Sequence, residues 1–216
     1  EAMQQEIKAV KNELSGTLVL GVIPTATSFA AVATAELRQN FPKVDIEIYS
    51  LSTAQIVRGI NNFSLDAGIL YFEDADPKIT TKLYSETYML ISKPELLKNL
   101  TEKVRWKDIC EIPLTLLTPG MRNRQLIDGI FRDLKLSPNV VAQASDFTSV
   151  ISQVAHGHTA TIAPKELAET FFDLGLVEKF YLIEPTISNT VGLSTKEYSP
   201  PLPIIEAFKK SVHAVL

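Results

Sequence analysis

Leu18-Val19-Leu20-Gly21-Val22-Ile23, followed by Pro24-Thr25-Ala26-Thr27-Ser28, decides the fold class of this chain. A short apolar run of this kind suits a strand covered on both faces. The turn behind it supplies hydroxyls for a helix N-cap. Phe29, Val32, Ala33 and Leu37 then recur at helical spacing, and Phe41-Pro42 ends the helix. Working outward, Val44–Tyr49 predicts a second strand, and Ser50-Leu51-Ser52-Thr53 caps a helix with Ile56, Val57 and Ile60 as its apolar stripe. Leu65–Leu70 predicts a third strand. Strand–helix–strand repeats of this length favour a parallel sheet with right-handed crossovers.

A long β-rich run, Tyr84–Ile91, interrupts the alternation. Short helices are expected near Pro94–Leu100 and Trp106–Cys110. A second alternation follows: strand Leu114–Leu117, helix Asn123–Leu134, strand Val140–Gln143 and helix Phe147–His156, capped by Ser145 or Asp146 and stopped by Gly157. Strand Thr159–Ala163 comes next, with Pro164 opening a helix at the first position, where its missing N–H costs nothing. Strands Phe180–Ile183 and Thr190–Ser194 precede a final helix carrying Ile204, Ile205, Phe208 and Val212. Two α/β units joined by extended segments near 88–92 and 185–189 result, the last strand and helix returning to the first unit.

At the other end, Met3, Ile7, Val10 and Leu14 are spaced as heptad a and d positions, which reads as the end of a longer helix. An amphipathic helix packed on its own domain is the competing interpretation. The chain has 216 residues and a formal net charge of -4. Phosphate neutralisation needs a clustered basic face, so this piece alone is not expected to bind nucleic acid. The stretch from Lys98 to Lys107 is broken by Leu100, Glu102 and Val104, and reads as a solvated face. The single cysteine, Cys110, excludes an internal disulfide framework. No apolar run approaches the roughly 18 residues of a membrane span.

In open parallel sheets, ligands sit beyond the carboxyl ends of strands, where helix N-termini point. Four junctions of that kind are rich in small polar residues: Pro24–Ser28, Ser50–Ala54, Thr118–Asn123 and Ala144–Thr148. Unpaired N–H groups and partial positive charge make an anion the natural occupant. Each hydroxyl there can instead cap its own helix. Arg122 and Arg124 open a helix against its dipole. One of them could clamp a carboxylate, or could form an ion pair with Asp128 or another acid. His156-Gly157-His158 lacks partner ligands for zinc, and no nucleophile-elbow, Walker or dinucleotide motif is present. Asp66 follows Leu65 in a buried strand and is expected to be a hydrogen-bonded structural carboxylate.

Together these landmarks resemble the regulatory domain of LysR-type transcription regulators. Leu14-Ser15-Gly16-Thr17-Leu18-Val19-Leu20-Gly21 is similar to the family's Leu-x-Gly-x-Leu-x-Leu-Gly, and Leu37–Val44 with Phe41-Pro42 to a shortened form of its Leu-x-x-Phe-x-x-x-Tyr-Pro-x-Val block. Leu65-Asp66-Ala67-Gly68-Ile69 is similar to Leu-Asp-Leu-Ala-Ile, and Val154–Pro164 to Val-Ala-x-Gly-x-Gly-Ile-Ala-x-x-Pro. Thr159 replaces that block's usual glycine and His158 its usual aliphatic residue. The resemblance implies an α/β, type 2 periplasmic-binding-protein-like fold, with two α/β subdomains joined by two crossover segments and a small effector in the cleft. Subdomain I would be 16–88 with 190–216, subdomain II 89–189, and residues 1–15 the end of a linker helix. A winged helix-turn-helix DNA-binding domain would precede it and lies outside this chain.

By position, the family's effector contacts fall on Thr25, Thr27, Ser52, Thr53, Tyr71, Met121, Arg122, Asn123, Asp146 and Phe147. The resemblance further implies a cytoplasmic bacterial regulator, a homodimer or homotetramer, binding DNA through the missing domain, with no membrane partner, no cofactor and no enzymatic role. An extracytoplasmic solute-binding protein of the same fold is the alternative. A prephenate-dehydratase-like lyase would need an acid/base pair that the sequence does not offer.

Overall fold

The computed structural model describes residues 14–97, 101–175, 177–196 and 200–216. Met3, Ile7 and Val10 of the heptad pattern lie outside them. The chain divides into two compact units, one running up to Tyr84 and resuming over Thr190–Leu216, the other Ser85–Asn189. The first division falls before the expected 88–92 join, because Tyr88 and Leu90 pack into the second unit's core with Trp106 and Ile162. At the second division, Asn189 donates to the Tyr88 hydroxyl at 2.9 Å, while the Thr190 N–H turns to the Glu73 carboxylate at 3.3 Å.

The first unit's strands are β1 (Gly16–Val22), β2 (Val44–Ser50), β3 (Ala67–Tyr71), the first part of β4 (Thr80–Ser92) and β10 (Ser188–Thr195). Their order is β2-β1-β3-β10-β4. β1 is parallel to both β2 and β3, as the alternation predicts, and β10 returns antiparallel to β3. Helices α1 (Thr27–Asn40), α2 (Thr53–Asn61) and α6 (Pro203–Ala214) cover this sheet. Leu18, Leu20 and Val22 on one face of β1 are fully buried. α2 approaches the other face closely: a Cβ at Gly68 would stand 2.3 Å from Ile56 Cγ2 and one at Gly21 3.1 Å from Ile56 Cγ1. Asp66 holds the edge of this packing, its carboxylate accepting the Val19 N–H at 2.8 Å, the structural part expected of it.

The start of α1 departs from the sequence expectation. A 3-10 turn over Pro24–Ala26 runs straight into the helix, and no side chain caps it. Thr27 Oγ1 donates back to the Pro24 carbonyl at 3.1 Å. Continuous backbone turning takes the place of the hydroxyl cap.

The second unit contains the rest of β4, with β8 (Thr161–Pro164) and β9 (Glu178–Ile183) both antiparallel to it. β5 (Lys103–Arg105) lies parallel to β9. β6 (Leu114–Leu117) and β7 (Val140–Ala144) form a parallel pair, tied to β8's approach by a bridge from Leu114 to Ala160. Helices α3 (Arg122–Asp133), α4 (Phe147–His156) and α5 (Lys165–Asp173) complete the unit. One core layer gathers Trp106, Ile127, Phe131, Leu116 and Ile162, with the Trp106 and Phe131 rings edge-to-face at 5.3 Å. The other gathers Met89, Ile91, Leu117, Val150, Val154 and Ala163. α4 starts at Asp146 and stops at Gly157 as expected. Pro164 does not open α5 from inside: it is the last residue of β8 and the N-cap of α5, extended at ψ 148°.

Candidate functional site

In the first unit, the carboxyl ends of three parallel strands come to one edge. Val22 pairs with both Ser50 and Ile69, the Leu51 N–H donates to the Val22 carbonyl at 2.9 Å, and the Ile23 N–H to the Ile69 carbonyl at 3.0 Å. The turns carrying Thr25, Thr53 and Tyr71 therefore leave the sheet side by side. Thr25 and Tyr71 are each 2% exposed, and their hydroxyls stand 3.3 Å apart. Thr53, the first residue of α2, is 7% exposed, and its Oγ1 has no hydrogen-bond partner. A buried hydroxyl left unsatisfied costs about 1–3 kcal/mol, so such a group calls for an explanation in function.

Ser52 has a different role. It forms a reciprocal capping box, its Oγ accepting the Gln55 N–H at 3.4 Å while Gln55 Oε1 accepts the Ser52 N–H at 2.9 Å. Thr27 is likewise engaged by its own turn. Of the five candidates in this unit, the structure gathers Thr25, Thr53 and Tyr71, and it commits Ser52 and Thr27 to local backbone.

The second unit repeats the arrangement. Leu117 pairs with Ala144, and the Thr118 N–H donates to the Ala144 carbonyl at 2.9 Å, so the turns into α3 and α4 emerge together. Met121 is the N-cap of α3 without a side-chain cap, and Arg122 is its first residue. Asn123 is 3% exposed, and its Nδ2 has no hydrogen-bond partner. The two arginines separate cleanly. Arg124, 9% exposed, meets Asp128 at 2.8 Å through Nε and donates through Nη1 to the Leu117 carbonyl at 2.9 Å. Its guanidinium ties α3 to β6 and is not available to clamp a ligand.

Asp146 spends both carboxylate oxygens on Ser149, accepting its N–H at 2.8 Å and its hydroxyl at 2.9 Å. Phe147 packs into the core with Leu117 and Val150. Both residues shape the start of α4.

Thr161, fully buried in β8 with an unpartnered Oγ1, carries no signal at the level of sequence, because threonine is ordinary in strands. Glu86, fully buried in β4, did carry a visible signal: an acid inside the β-rich run. At the start of α5, burial pushes the Glu166 carboxyl above its ordinary pKa. Among the described residues, no group of three His, Cys, Asp or Glu side chains is placed to hold a metal ion. None of the described helices is long and apolar enough to cross a membrane.

Residues 11–216 match the LysR substrate binding domain family. Among curated relatives, the HTH-type transcriptional regulator BsdA of Bacillus subtilis (strain 168) is 22% identical over 173 residues, covering 74% of this chain and 56% of that protein. The chain spans about half the length of the curated relatives it matches. In fold it is similar to CbnR, a LysR family transcriptional regulator, with a TM-score of 0.77 at 15% identity, covering 98% of this chain and 73% of that one. It is also similar to the BenM effector binding domain with its effector benzoate, with a TM-score of 0.73 at 18% identity, covering 92% of this chain and 91% of that one. These likenesses bear out the type 2 periplasmic-binding-protein-like fold. The family is one of transcription regulators rather than enzymes. With strand–helix order, fold and sequence pattern in agreement, the chain belongs to the LysR substrate binding domain family.

Proposed function

We propose that this chain is the effector-sensing part of a LysR-type transcription regulator and binds a small anionic metabolite. The candidate contacts are Thr25, Thr53 and Tyr71 within the first unit and, taken separately, Met121, Arg122 and Asn123 within the second. Ser52, Thr27, Asp146 and Phe147 act by shaping the turns that present them. The observation that carries this is the pair of buried donors without partners at helix starts, Thr53 Oγ1 in one unit and Asn123 Nδ2 in the other. Buried polar groups in folded proteins are normally satisfied, and helix starts favour negative charge, so an anion at such a helix start supplies what its donor lacks. The BenM domain, similar in fold, is described with benzoate as its effector, which is consistent with an anionic ligand.

Effector binding shifts the chain between conformations, and only a ligand with different affinities for those conformations can do so. The whole regulator reads DNA through a helix-turn-helix part, works as a homodimer or homotetramer, and acts in the cytoplasm; relatives named HTH-type transcriptional regulators support this reading. A thermal-shift screen of small carboxylates and inorganic anions tests the sensing role. A ligand at about 100 times its Kd adds about 2.7 kcal/mol of stability, which for a domain of this size is a Tm rise of about 5–10 °C. A neutral or cationic compound that raises Tm while every anion fails would overturn the anionic assignment.

A further inference from the structure

The flank of α2 borders a groove of about 390 Å3, within the first unit, that none of the candidate contacts lines. Val19 stands opposite Glu47 and Gly21 opposite Tyr49, so these residues share the sheet face that α2 packs against. α2 sits over Gly21 and Gly68, on β1 and β3, where Ile56 would meet an added Cβ at either glycine. The β2 side of that face stays open, and Tyr49 is 48% exposed there. Val19, Leu51 and Leu65 give the groove an apolar floor. Leu65 fits because Gly59 leaves room for it: a Cβ on Gly59 would stand 2.5 Å from Leu65 Cδ1. Val19 and Glu47 lie mid-strand, away from the strand ends that carry Thr25, Thr53 and Tyr71. A groove of this size suits a small organic molecule.

Hydrogen-bond accounting gives its polar side a sign. The Tyr49 hydroxyl donates to Glu47 Oε2 at 2.9 Å, so its proton is spent and its lone pairs remain. Ser64 Oγ likewise donates to Asn62 Oδ1 at 2.8 Å and keeps its lone pairs. Glu47 retains its second oxygen, and among the described residues no basic side chain pairs with it. Lys196, at the far end of α2, is spent on the Asn61 carbonyl and the Phe63 ring. Of the polar side chains lining the groove, Gln55 alone presents donors, because its oxygen is taken by Ser52. Glu47, Tyr49 and Ser64 thus offer acceptors and one net negative charge beside apolar carbon. An ammonium group has three donors and no acceptor, and the tyrosine ring attracts it further. A carboxylate ligand would meet lone pairs and like charge in the same place.

We propose that this groove binds a small organic amine, with Glu47, Tyr49 and Ser64 accepting from its ammonium and Val19, Leu51 and Leu65 taking its apolar body. The site stands apart from the proposed effector contacts, so either can fail without the other. The 216-residue chain is titrated with n-butylammonium chloride while backbone amides are followed by NMR, with 1-butanol, sodium butyrate and sodium chloride as matched controls. The Val19, Leu51 and Ser64 amides are expected to shift and saturate with butylammonium alone. Glu47→Gln should weaken that binding by about tenfold, whereas Glu178→Gln, which removes an exposed acid of the second unit, should leave it unchanged. Equal saturation by butanol, or butylammonium binding that Glu47→Gln does not alter, would overturn the ammonium assignment. Shifts confined to other amides would overturn the groove as the site. Nα-acetyl-lysine methylamide carries the same ammonium on a peptide and should bind no more tightly than butylammonium. If it alone saturates, the occupant is a lysine side chain of another protein and the small-amine reading falls.

Discussion

Single side chains divide here into those that hold the turns and those that wait for a partner, and hydrogen-bond accounting tells them apart. Arg124 belongs to the first kind, with its guanidinium shared between Asp128 and the Leu117 carbonyl. Arg124→Met should lower the midpoint of urea unfolding by an amount equal to about 1–3 kcal/mol, because it strands a buried carbonyl. The sequence offers Asp128 as a partner to either arginine, and the structure gives it to Arg124, four residues before it. The bond to Leu117 was not, since it depends on where β6 lies under the helix. Thr53 and Asn123 were legible as positions only, because a polar side chain that caps a helix and one that has no partner read alike. Glu166 makes a prediction about pH. Burial raises its carboxyl pKa above the ordinary 4.5 in the folded state, with no partner for Oε2. The folded protein therefore holds that proton more tightly, and stability falls as pH rises from the unfolded value through the folded one. Glu166→Gln should thus raise Tm at pH 7, with the gain fading at and below about pH 4.5.

Among the elements, the parallel strand–helix alternation was readable because apolar runs and helical stripes are local patterns. Boundaries that depend on distant packing were less so. The crossing strand β4 shows this: Tyr88 and Leu90 look no different from Tyr84 in sequence, yet they fill the second unit's core. Pro164 was placed one position too far into its helix, since proline tolerates both the N-cap and the first turn. The close seating of α2 rests on Gly68, where an added methyl would meet Ile56 at 2.3 Å. Gly68→Ala should push α2 outward at a cost of about 1–3 kcal/mol, read from chemical denaturation. Because α2 also presents Thr53, the same variant should weaken binding of the stabilising anion found by thermal shift more than a destabilising change elsewhere, such as Arg124→Met.

On the scale of the whole molecule, each unit builds its helix starts from the same strand–turn–helix grammar, with the last strand and helix returning to the first. That organisation gives the two units separate cores and leaves the chain's one tryptophan in only one of them. Trp106 is fully enclosed in the second unit, its indole nitrogen donating to the Pro185 carbonyl at 2.9 Å. Nature has thereby installed a spectroscopic witness with a partial view. Its emission should be blue-shifted and deaf to iodide in the native protein, and should redden only when Ser85–Asn189 comes apart. Far-ultraviolet circular dichroism hears both units at once. Superimposable melts from the two signals would mean the halves unfold as one cooperative body, whereas an ellipticity loss preceding the colour change would reveal a first unit that loosens on its own.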